Sequence, residues 1–453
     1  MNRLFIISNR VSNSDHSASG GLASAMEELL QKTGGVWFGW SGKIAEDDEI
    51  DANKIHIHQE GSITRITVDL TQEEHDGYYY GFSNDVIWPV FHNRIDLSNF
   101  NKIYYEKYIH VNKLFAREIL PFLEKDDVIW VHDYHLIPLA SELRSLHCQQ
   151  RIGFFLHIPL PPPIILRAIP EHQNLIQNFF DYDLVGFQTQ RDASHFSSYI
   201  NDNKEIISSE KLNFQAFPIG IDVENFIDLS LTDSSRETYS KIKQEYPQRR
   251  IILGVDRLDY SKGLKQRVLA LKELFCLFPE NKNYATLIQV GSPTRENNPA
   301  YVDLREDFES LCGAINGDYG ELDWVPVRYL HQTLARENLA GLYRAAHIGL
   351  VTPLLDGMNL VAKEYVAAQD PADPGVLILS QFAGAAEQLK EALLVNPYDI
   401  HGTARTLQQA IKMSLAERIE RHQALLQKVQ EENVHWWANK FLTKLKSKQF
   451  INF

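Results

Sequence analysis

Residues 349–369, GLVTPLLDGMNLVAKEYVAAQ, combine an apolar run, a polar loop that contains glycine, and a helical pattern. They predict a buried strand, a loop, and a helix that begins near Leu360 with Asn359 as its N-cap. A helix start offers unpaired N–H groups and a partial positive charge, which suit an anion such as a diphosphate. Asp356 on the loop and Glu364 in the helix add hydrogen-bond acceptors, so a sugar nucleotide fits. A purely structural strand–helix junction is the alternative.

A second predicted strand–helix junction carries two cations. Arg257 and Lys262, five residues apart, follow an apolar run and precede a helical pattern. Cations are normally unfavourable near a helix N-terminus, so their presence there favours a bound phosphate. Asp256 and Asp259 in the same stretch favour the alternative, a local cluster of salt bridges. Arg295 follows the next predicted strand and presents a third cation at a strand end.

Polar residues also follow the predicted strands of the first half. Arg10 follows the first strand, Gly20 and Gly21 open the next helix, and Asp133 and His157 follow two later strands. A Gly-Gly pair lets the backbone approach a ligand closely, although most such pairs only make turns. A structural role for the histidine is equally compatible with its position.

The segment 78–88 carries aromatic residues, among them Tyr79 and Trp88. Tyrosine and tryptophan stack on sugar faces and donate hydrogen bonds, although core packing explains most aromatics equally well. The sequence has no P-loop, no HExxH, no G-x-S-x-G and no GxGxxG at its first turn. These absences disfavour an NTPase, a zinc protease, a serine hydrolase and an NAD enzyme.

Composition limits the partners. The chain has 453 residues and a net charge of −14, which disfavours nucleic acid or an anionic membrane as the main partner. Its three cysteines are scattered and form no metal-binding spacing, so we expect no metal site and a reduced, cytoplasmic compartment. No run approaches the ~20 apolar residues of a membrane span, and the N-terminal apolar run is too short for a signal peptide.

Apolar strand-like runs alternate with helical patterns, which predicts an α/β protein with parallel sheets wrapped by helices. The predicted strands are 4–8, 36–40, 63–70, 128–132, 152–157, 184–187, 214–218, 251–255, 286–290, 325–329, 348–351, 376–379 and 393–395. So many strands favour two domains, 1–228 and 229–435. The residues from 416 onward are expected to be helical, with the helix of about 436–453 packing back onto the first domain.

The sequence carries a set of colinear motifs: SNR at 8–10, GGL at 20–22, WFGWSG at 37–42, YY at 78–79, WPVFH at 88–92, WVHDYHL at 130–136, GFFLHIP at 153–159, GFQT at 186–189, DRLDYSKGL at 256–264, INGDYG at 315–320 and DGMNLVAKEYVAAQ at 356–369. With these motifs the chain resembles the retaining glycosyltransferases of family 20, the trehalose-6-phosphate synthase family. The resemblance covers nearly the whole chain.

This resemblance implies a GT-B fold, in which the parallel sheets of two Rossmann-like domains face a central cleft. It implies transfer of glucose from UDP-glucose to glucose 6-phosphate, with retention of configuration and release of α,α-trehalose 6-phosphate and UDP. Only small-molecule substrates are implied as partners, with no cofactor and no metal. A homo-oligomer, dimer or tetramer, is compatible with the sequence, which does not decide it.

The resemblance also assigns roles residue by residue. The acceptor is bound by Arg10, Tyr79, Trp88, Asp133 and Arg295. The donor is bound by Gly20, Gly21, Arg257, Lys262, Leu334, Asp356, Gly357, Met358, Asn359, Leu360, Val361, Ala362, Lys363 and Glu364. The catalytic group is Arg257, Lys262, Asp133, His157 and Asp356. The family is thought to react by same-face attack in which the departing phosphate takes the acceptor proton, so no general base is assigned.

Leu355 stands where the family commonly has an arginine, and the residue near the base site, Leu334, is not aromatic. These departures leave the choice of nucleotide open. The alternatives are a relative that uses ADP- or GDP-glucose or another acceptor such as glycerol 3-phosphate, and a non-catalytic sensor of sugar phosphates.

Overall fold

The computed structural model describes residues 3–11, 21–45, 53–203, 212–296 and 298–447. The chain divides into a first unit, residues 1–219 with 434–453, and a second unit, residues 220–433. The boundary expected from the sequence, at 228, lies within the helix Val223–Ser230.

In the described part of the first unit, eight strands form one sheet in the order β3-β4-β2-β1-β5-β6-β7-β8. They are β1 (Leu4–Arg10), β2 (Gly35–Ala45), β3 (Ile55–Glu60), β4 (Ile63–Thr71), β5 (Val128–His132), β6 (Arg151–Phe155), β7 (Leu184–Phe187) and β8 (Phe214–Ala216). Their pairings are parallel except for β3 with β4. All five residues of β5 are buried, as expected of a strand covered on both faces.

The helices of the first unit cover this sheet. The α-helices are Gly21–Thr33, Gln72–Glu74, Trp88–Phe91, Lys102–Ile119, Leu139–Ser145, Pro163–Leu166, His172–Gln177, Gln190–Asp202 and Val434–Lys446, with 3-10 turns at Ile95–Leu97, Leu120–Phe122, Tyr134–Leu136 and Asn178–Asp181 and a π-helix at His75–Ile87. Phe441 anchors the last α-helix, because its ring stacks on Trp130 with centroids 4.6 Å apart. A Cβ at Gly153 or Gly186 would lie 2.7 or 2.9 Å from the Phe441 ring, so glycine permits this close packing.

In the second unit, six described strands form a parallel sheet in the order β11-β10-β9-β12-β13-β14. They are β9 (Arg250–Arg257), β10 (Ala285–Ser292), β11 (Val327–Leu330), β12 (Ile348–Val351), β13 (Val376–Ser380) and β14 (Leu393–Val395). The α-helices are Val223–Ser230, Asp233–Glu245, Leu264–Leu277, Pro299–Tyr319, Arg336–Ala345, Leu360–Ala368, Ile400–Lys412 and Leu415–Glu431, with 3-10 turns at Tyr260–Lys262, Pro279–Asn281 and Gly384–Glu387. This strand order is the doubly wound Rossmann order.

Four predicted strands, 128–132, 184–187, 348–351 and 393–395, have the observed bounds. The antiparallel edge strand β3 was not predicted, because its sequence IHIHQE is largely exposed and polar. The C-terminal helical stretch is two helices, Leu415–Glu431 and Val434–Lys446, and the chain passes from the second unit to the first between them.

Candidate active site

In each unit, predicted polar residues lie where the order of the strands reverses. In the first unit this point lies between β1 and β5, which lead to Arg10 and Asp133. In the second unit it lies between β9 and β12, which lead to Arg257 and Asp356. Ligands of open parallel sheets bind at such switch points. The topology therefore gathers one group of predicted residues at the switch point of each unit.

Arg10 is exposed at the end of β1, with its guanidinium carbon 5.7 Å from the centre of the Trp40 ring. Gly42 lies beside it with a φ of +86°, and a Cβ there would lie 2.6 Å from Nη2 of Arg10. The position of the guanidinium therefore requires glycine at 42. In the sequence, Gly42 is only the last residue of the motif WFGWSG and had no role of its own.

Tyr79 lies in the π-helix His75–Ile87. This type of helix is rare in proteins overall, and where it occurs it is often at a functional site. The Tyr79 ring stacks on His135 with centroids 5.8 Å apart, and on His75 at 5.4 Å. The neighbouring Tyr78 hydroxyl donates to Oδ1 of Asn9 at 2.9 Å. Burial raises the pKa of Tyr78 well above its usual value, so this phenol stays a neutral donor.

Trp88 is buried and packs on Tyr134, with ring centroids 5.8 Å apart. The Tyr134 hydroxyl donates to Oδ1 of Asn84 at 3.0 Å. In the part of the chain that the structure describes, the buried Nδ2 of Asn84 has no hydrogen-bond partner. Asn84 is thus a donor that sequence reasoning did not assign to the site.

Asp133 ties the end of β5 to the end of β6. Its φ is +75°, and such strain in a non-glycine residue concentrates at functional sites. Its N–H donates to the carbonyl of Phe155 at 2.8 Å, and its Oδ1 accepts the N–H of His157 at 3.1 Å. Asp133 and His157 are therefore brought together, as their positions after neighbouring strands predict.

The tautomer of His157 follows from its neighbours. Oε1 of Gln188 accepts the N–H of Ile219 at 3.1 Å, so Nε2 of Gln188 faces Nδ1 of His157, at 3.3 Å. Nδ1 must accept, so the proton lies on Nε2, which contacts Nδ1 of His132 at 3.0 Å. Burial lowers the pKa of His157 to about 3, so the ring is neutral near pH 7. His132 and Gln188 had no assigned role in the sequence.

In the second unit, Lys262 contacts the loop that follows β12. Its Nζ lies 2.5 Å from Oδ2 of Asp356, 94 residues away in sequence. Gly263 has a φ of +66°, and a Cβ there would lie 2.2 Å from the carbonyl oxygen of Thr352. Only glycine allows the turn that carries Lys262 to lie against this loop. Arg257 is exposed at the end of β9.

The acidic residues of this stretch pair elsewhere. Asp256 accepts from Nη1 of the buried Arg267 at 2.6 Å, and Asp259 lies 3.6 Å from Nη1 of Arg295. Lys262 pairs with Asp356 instead. The ion pairs of Asp256 with Arg267 and of Lys262 with Asp356 therefore join this stretch to other elements.

The helix Leu360–Ala368 begins at Leu360 with Asn359 at the N-cap position, both as predicted. Asn359 occupies the cap position with a φ of +75° and makes no side-chain capping bond. Its Nδ2 donates to Oδ2 of Asp356 at 3.1 Å instead. The carbonyl of Met358 accepts the N–H of Ala385 at 2.8 Å. The uncapped helix start suits an anion.

Further along this helix, Ala362 and Lys363 are buried. Nζ of Lys363 donates to Oε1 of Gln388 at 2.7 Å, and burial lowers the pKa of Lys363 to about 7. Glu364 accepts from the Tyr343 hydroxyl at 3.2 Å, and burial raises the pKa of Glu364.

The remaining predicted residues are distributed as follows. Gly357 is buried in the loop, Leu360 and Val361 are partly exposed at the helix start, and Leu334 is partly exposed just before the helix Arg336–Ala345. Gly21 opens the helix Gly21–Thr33, and Gly20 lies outside the described residues. Arg295, predicted for the acceptor, belongs to the second unit, whereas the other four predicted acceptor residues belong to the first.

A family model of glycosyltransferase family 20 matches residues 4–447. The chain belongs to this family. Trehalose-6-phosphate synthases of Enterobacter sp. (strain 638) and Klebsiella pneumoniae are each 43% identical to it, over 98% of this chain and 95% of each relative. The family resemblance predicted from the motifs is thus confirmed.

Solved structures agree with this membership. An α,α-trehalose-phosphate synthase (UDP-forming) from Burkholderia xenovorans in complex with glucose-6-phosphate is 43% identical, with a TM-score of 0.95 over 98% of this chain and 100% of that one. An E. coli structure bound with UDP-2-fluoro glucose is 41% identical, with a TM-score of 0.92 over 99% of this chain and 100% of that one. The predicted fold class, α/β with two Rossmann-like units of the GT-B type, is confirmed.

Two observations on the described ranges concern metals and membranes. No group of three or more His, Cys, Asp or Glu side chains there is arranged to hold a metal ion. None of the helices there combines the length and the apolar character that a bilayer crossing requires.

Proposed function

We propose that the chain is a retaining glucosyltransferase that transfers glucose from UDP-glucose to glucose 6-phosphate and releases α,α-trehalose 6-phosphate and UDP. The observation that carries this proposal is the whole-chain similarity, 43% identity over 98% of the chain, to a UDP-forming synthase in complex with glucose-6-phosphate. The two switch points support it, because each gathers the polar residues that one substrate needs.

The donor binds in the second unit. The N–H groups of Leu360 and Val361 at the uncapped helix start face the diphosphate, and Arg257 and Lys262 supply positive charge. Glu364 accepts from the ribose hydroxyls. Arginine suits bidentate phosphate contact and lysine acts as a point charge, so the two cations play different roles.

The remaining donor residues complete this site. The loop of Asp356, Gly357, Met358 and Asn359 binds the transferred glucose, and its contacts to residues 382–385 keep it in place. His157, in the first unit, belongs to the catalytic group that the family resemblance assigns. Leu334 lies near the base. Gly20 and Gly21 approach the donor with their backbone.

The acceptor is held chiefly by the first unit. In the first unit, Arg10, Tyr79 and Trp88 bind its phosphate and Asp133 binds its hydroxyls. Arg295, in the second unit, is the further residue that the family resemblance assigns to the acceptor. Arg10 and Tyr79 both pack on Trp40, at 5.7 and 5.9 Å, which places a cation and a phenol side by side. Such a pair suits the phosphate of a sugar.

The chemistry follows from charge development. Negative charge grows on UDP as the glycosidic bond breaks, and Arg257 and Lys262 stabilise it in the transition state. We propose that these cations replace a metal ion. Nδ1 and Nε2 of His157 are engaged with Gln188 and His132, and burial lowers its pKa to about 3, so the ring is a poor proton acceptor and no base role is proposed for it. The departing phosphate takes the acceptor proton on the face where the acceptor attacks.

The test is an incubation of the pure protein with UDP-, ADP- or GDP-glucose and either glucose 6-phosphate or glycerol 3-phosphate, in the presence of a chelator. We expect release of UDP and formation of a disaccharide phosphate, resolved by mass and by NMR of the anomeric linkage. No product from any pair of substrates would overturn the enzyme proposal in favour of a sensor. Product only with another donor or acceptor would overturn the substrate assignment.

We also propose that the enzyme acts in the cytoplasm on small molecules. Its three cysteines, Cys148, Cys276 and Cys312, are free thiols. The net charge of −14 disfavours nucleic acid as a partner.

A further inference from the structure

Asp259 is a buried carboxylate that contacts two separate parts of the second unit. Its Oδ1 accepts the N–H of Ser261 at 2.9 Å. Its Oδ2 accepts the hydroxyl of Tyr301 at 2.9 Å and lies 3.6 Å from Nη1 of Arg295. The side chain is 0% exposed, so these contacts are made away from solvent.

The first contact orients the turn that carries Lys262. Oδ1 of Asp259 caps the 3-10 turn Tyr260–Lys262, and the Asp259 carbonyl accepts the N–H of Lys262 at 3.0 Å. The carbonyl of Ser261 in turn accepts the N–H of Leu354 at 2.7 Å. The carboxylate therefore fixes the backbone from which the ammonium reaches Asp356.

The second contact holds Arg295. The guanidinium hydrogen-bonds to the hydroxyl of Tyr301 and lies 5.5 Å from the centre of its ring. The Arg295 side chain is only 6% exposed, and a buried cation is stable only beside a counterion. Asp259 is that counterion, and the Tyr301 hydroxyl bridges the two charges. Burial raises the pKa of Tyr301, so the bridge stays a neutral phenol.

Arg295 also has strained backbone, with a φ of +49°. Such strain persists only where neighbouring contacts hold it. Asp259 and Tyr301 contact the side chain of Arg295, and the N–H of Asn298 donates to its carbonyl at 2.9 Å.

We propose that Asp259, together with Tyr301, is a positioning residue. It connects Lys262, the protein cation assigned to the donor diphosphate, to Arg295, the protein cation assigned to the acceptor phosphate. This inference rests on the proposed function, which assigns those two cations. A diphosphate that immobilises the Lys262 turn also immobilises the Asp259 carboxylate. It thereby removes part of the ordering cost of the Arg295 site, so UDP strengthens the binding of glucose 6-phosphate. By linkage, glucose 6-phosphate strengthens the binding of UDP by the same factor.

The experiment is calorimetric titration of the full chain with UDP, with glucose 6-phosphate, and with each in the presence of saturating amounts of the other. We expect UDP to lower the Kd of glucose 6-phosphate about fivefold or more in the natural protein, the lower end of typical coupling. In Asp259→Asn the factor falls to about one. In Tyr301→Phe the Kd of glucose 6-phosphate rises, that of UDP alone stays unchanged, and the coupling factor also falls to about one.

The matched control is Tyr319→Phe at the other end of the same helix, Pro299–Tyr319, where the hydroxyl contacts only Cys276 among the described side chains. It should keep the full coupling factor. A merely structural role for Asp259 would lower the melting temperature without changing the ratio of the two Kd values. If Asp259→Asn does not fold, Tyr301→Phe tests the proposal by the ratio of the Kd of glucose 6-phosphate without UDP to that with UDP.

The outcomes separate the two proposals. Natural protein that forms product but shows no coupling, or folded variants that keep its coupling factor, would overturn this inference alone. Natural protein that binds neither UDP nor glucose 6-phosphate would overturn the proposed function as well.

Discussion

Replacement of Lys262 by alanine tests the proposed donor site most directly. Nζ of Lys262 lies 2.5 Å from Oδ2 of Asp356, and its side chain is 11% exposed. Gly263 lets the turn that carries Lys262 lie against the carbonyl of Thr352, since a Cβ at 263 would lie 2.2 Å from that oxygen. The ammonium therefore lies beside a carboxylate in a nearly dry site.

The expected size of the effect follows from this burial. Two unit charges 4 Å apart interact by about 4 kcal/mol at an effective dielectric constant of about 20. Removal of one preorganised charge stabiliser costs about 2.7–4 kcal/mol, or roughly 10²–10³ in kcat. We expect Lys262→Ala to lose this much in kcat and far less in the KM for UDP-glucose, because the charge on UDP grows only as the bond breaks.

The assay is steady-state release of UDP with saturating glucose 6-phosphate. Lys265→Ala is the matched control, since Lys265 lies one turn away, is partly exposed and pairs with Asp307. The double variant Lys262→Ala/Asp356→Asn should be clearly non-additive, because the two side chains are in contact. A kcat of Lys262→Ala within about threefold of the natural protein would refute the assigned role.

Three further predictions follow from the same structure. Gly42→Ala should raise the KM for glucose 6-phosphate and leave UDP binding unchanged, because its Cβ would displace the guanidinium of Arg10. Steady-state kinetics measures the KM and calorimetry measures UDP binding, and an unchanged KM would contradict the prediction. Burial lowers the pKa of His157 to about 3 and that of His132 well below 6.5, so below pH 6.5 the unfolded chain binds protons that the folded chain does not. The free energy of unfolding, measured with urea, should therefore fall between pH 6.5 and about 4, and a flat profile would count against neutral imidazoles. Burial lowers the pKa of Lys363 to about 7, so its contribution to the free energy of unfolding should rise between about pH 7 and about pH 10, by at most ~1.4 kcal/mol per pH unit. Lys363→Met should remove that rise, and a pH profile of unfolding free energy identical to that of the natural protein would exclude a buried neutral amine.

Much of the scaffold could be predicted from local pattern. Strands buried on both faces read as continuous apolar runs, which is why β5, β7 and β12 were predicted with their observed bounds. The short edge strand β14 was also predicted with its observed bounds, because its sequence LLV is apolar although Leu394 is exposed. The antiparallel strand Ile55–Glu60 could not be predicted in this way, because it is held by β4 rather than by apolar character of its own. The π-helix His75–Ile87 likewise has no local periodic signature of the kind used for helices and strands.

The candidate site divides in the same manner. Positions such as Arg10, Asp133 and Arg257 could be proposed from the sequence because residues after parallel strands gather at one edge of a sheet. The bridging residues Asp259 and Tyr301 were not assigned to the site, because one lies beside a strand end and the other in a helix 42 residues later.

The sequence by itself determined which chemical groups stand at the strand ends, since the alternation of strands and helices settles which residues follow each strand. Only the tertiary structure decided the partners of these groups. It placed Lys262 against Asp356 and Arg267 against Asp256, and it joined Arg295 to Asp259. Pairing and protonation depend on distance and on exclusion of water, and both arise from contacts between residues far apart in the chain.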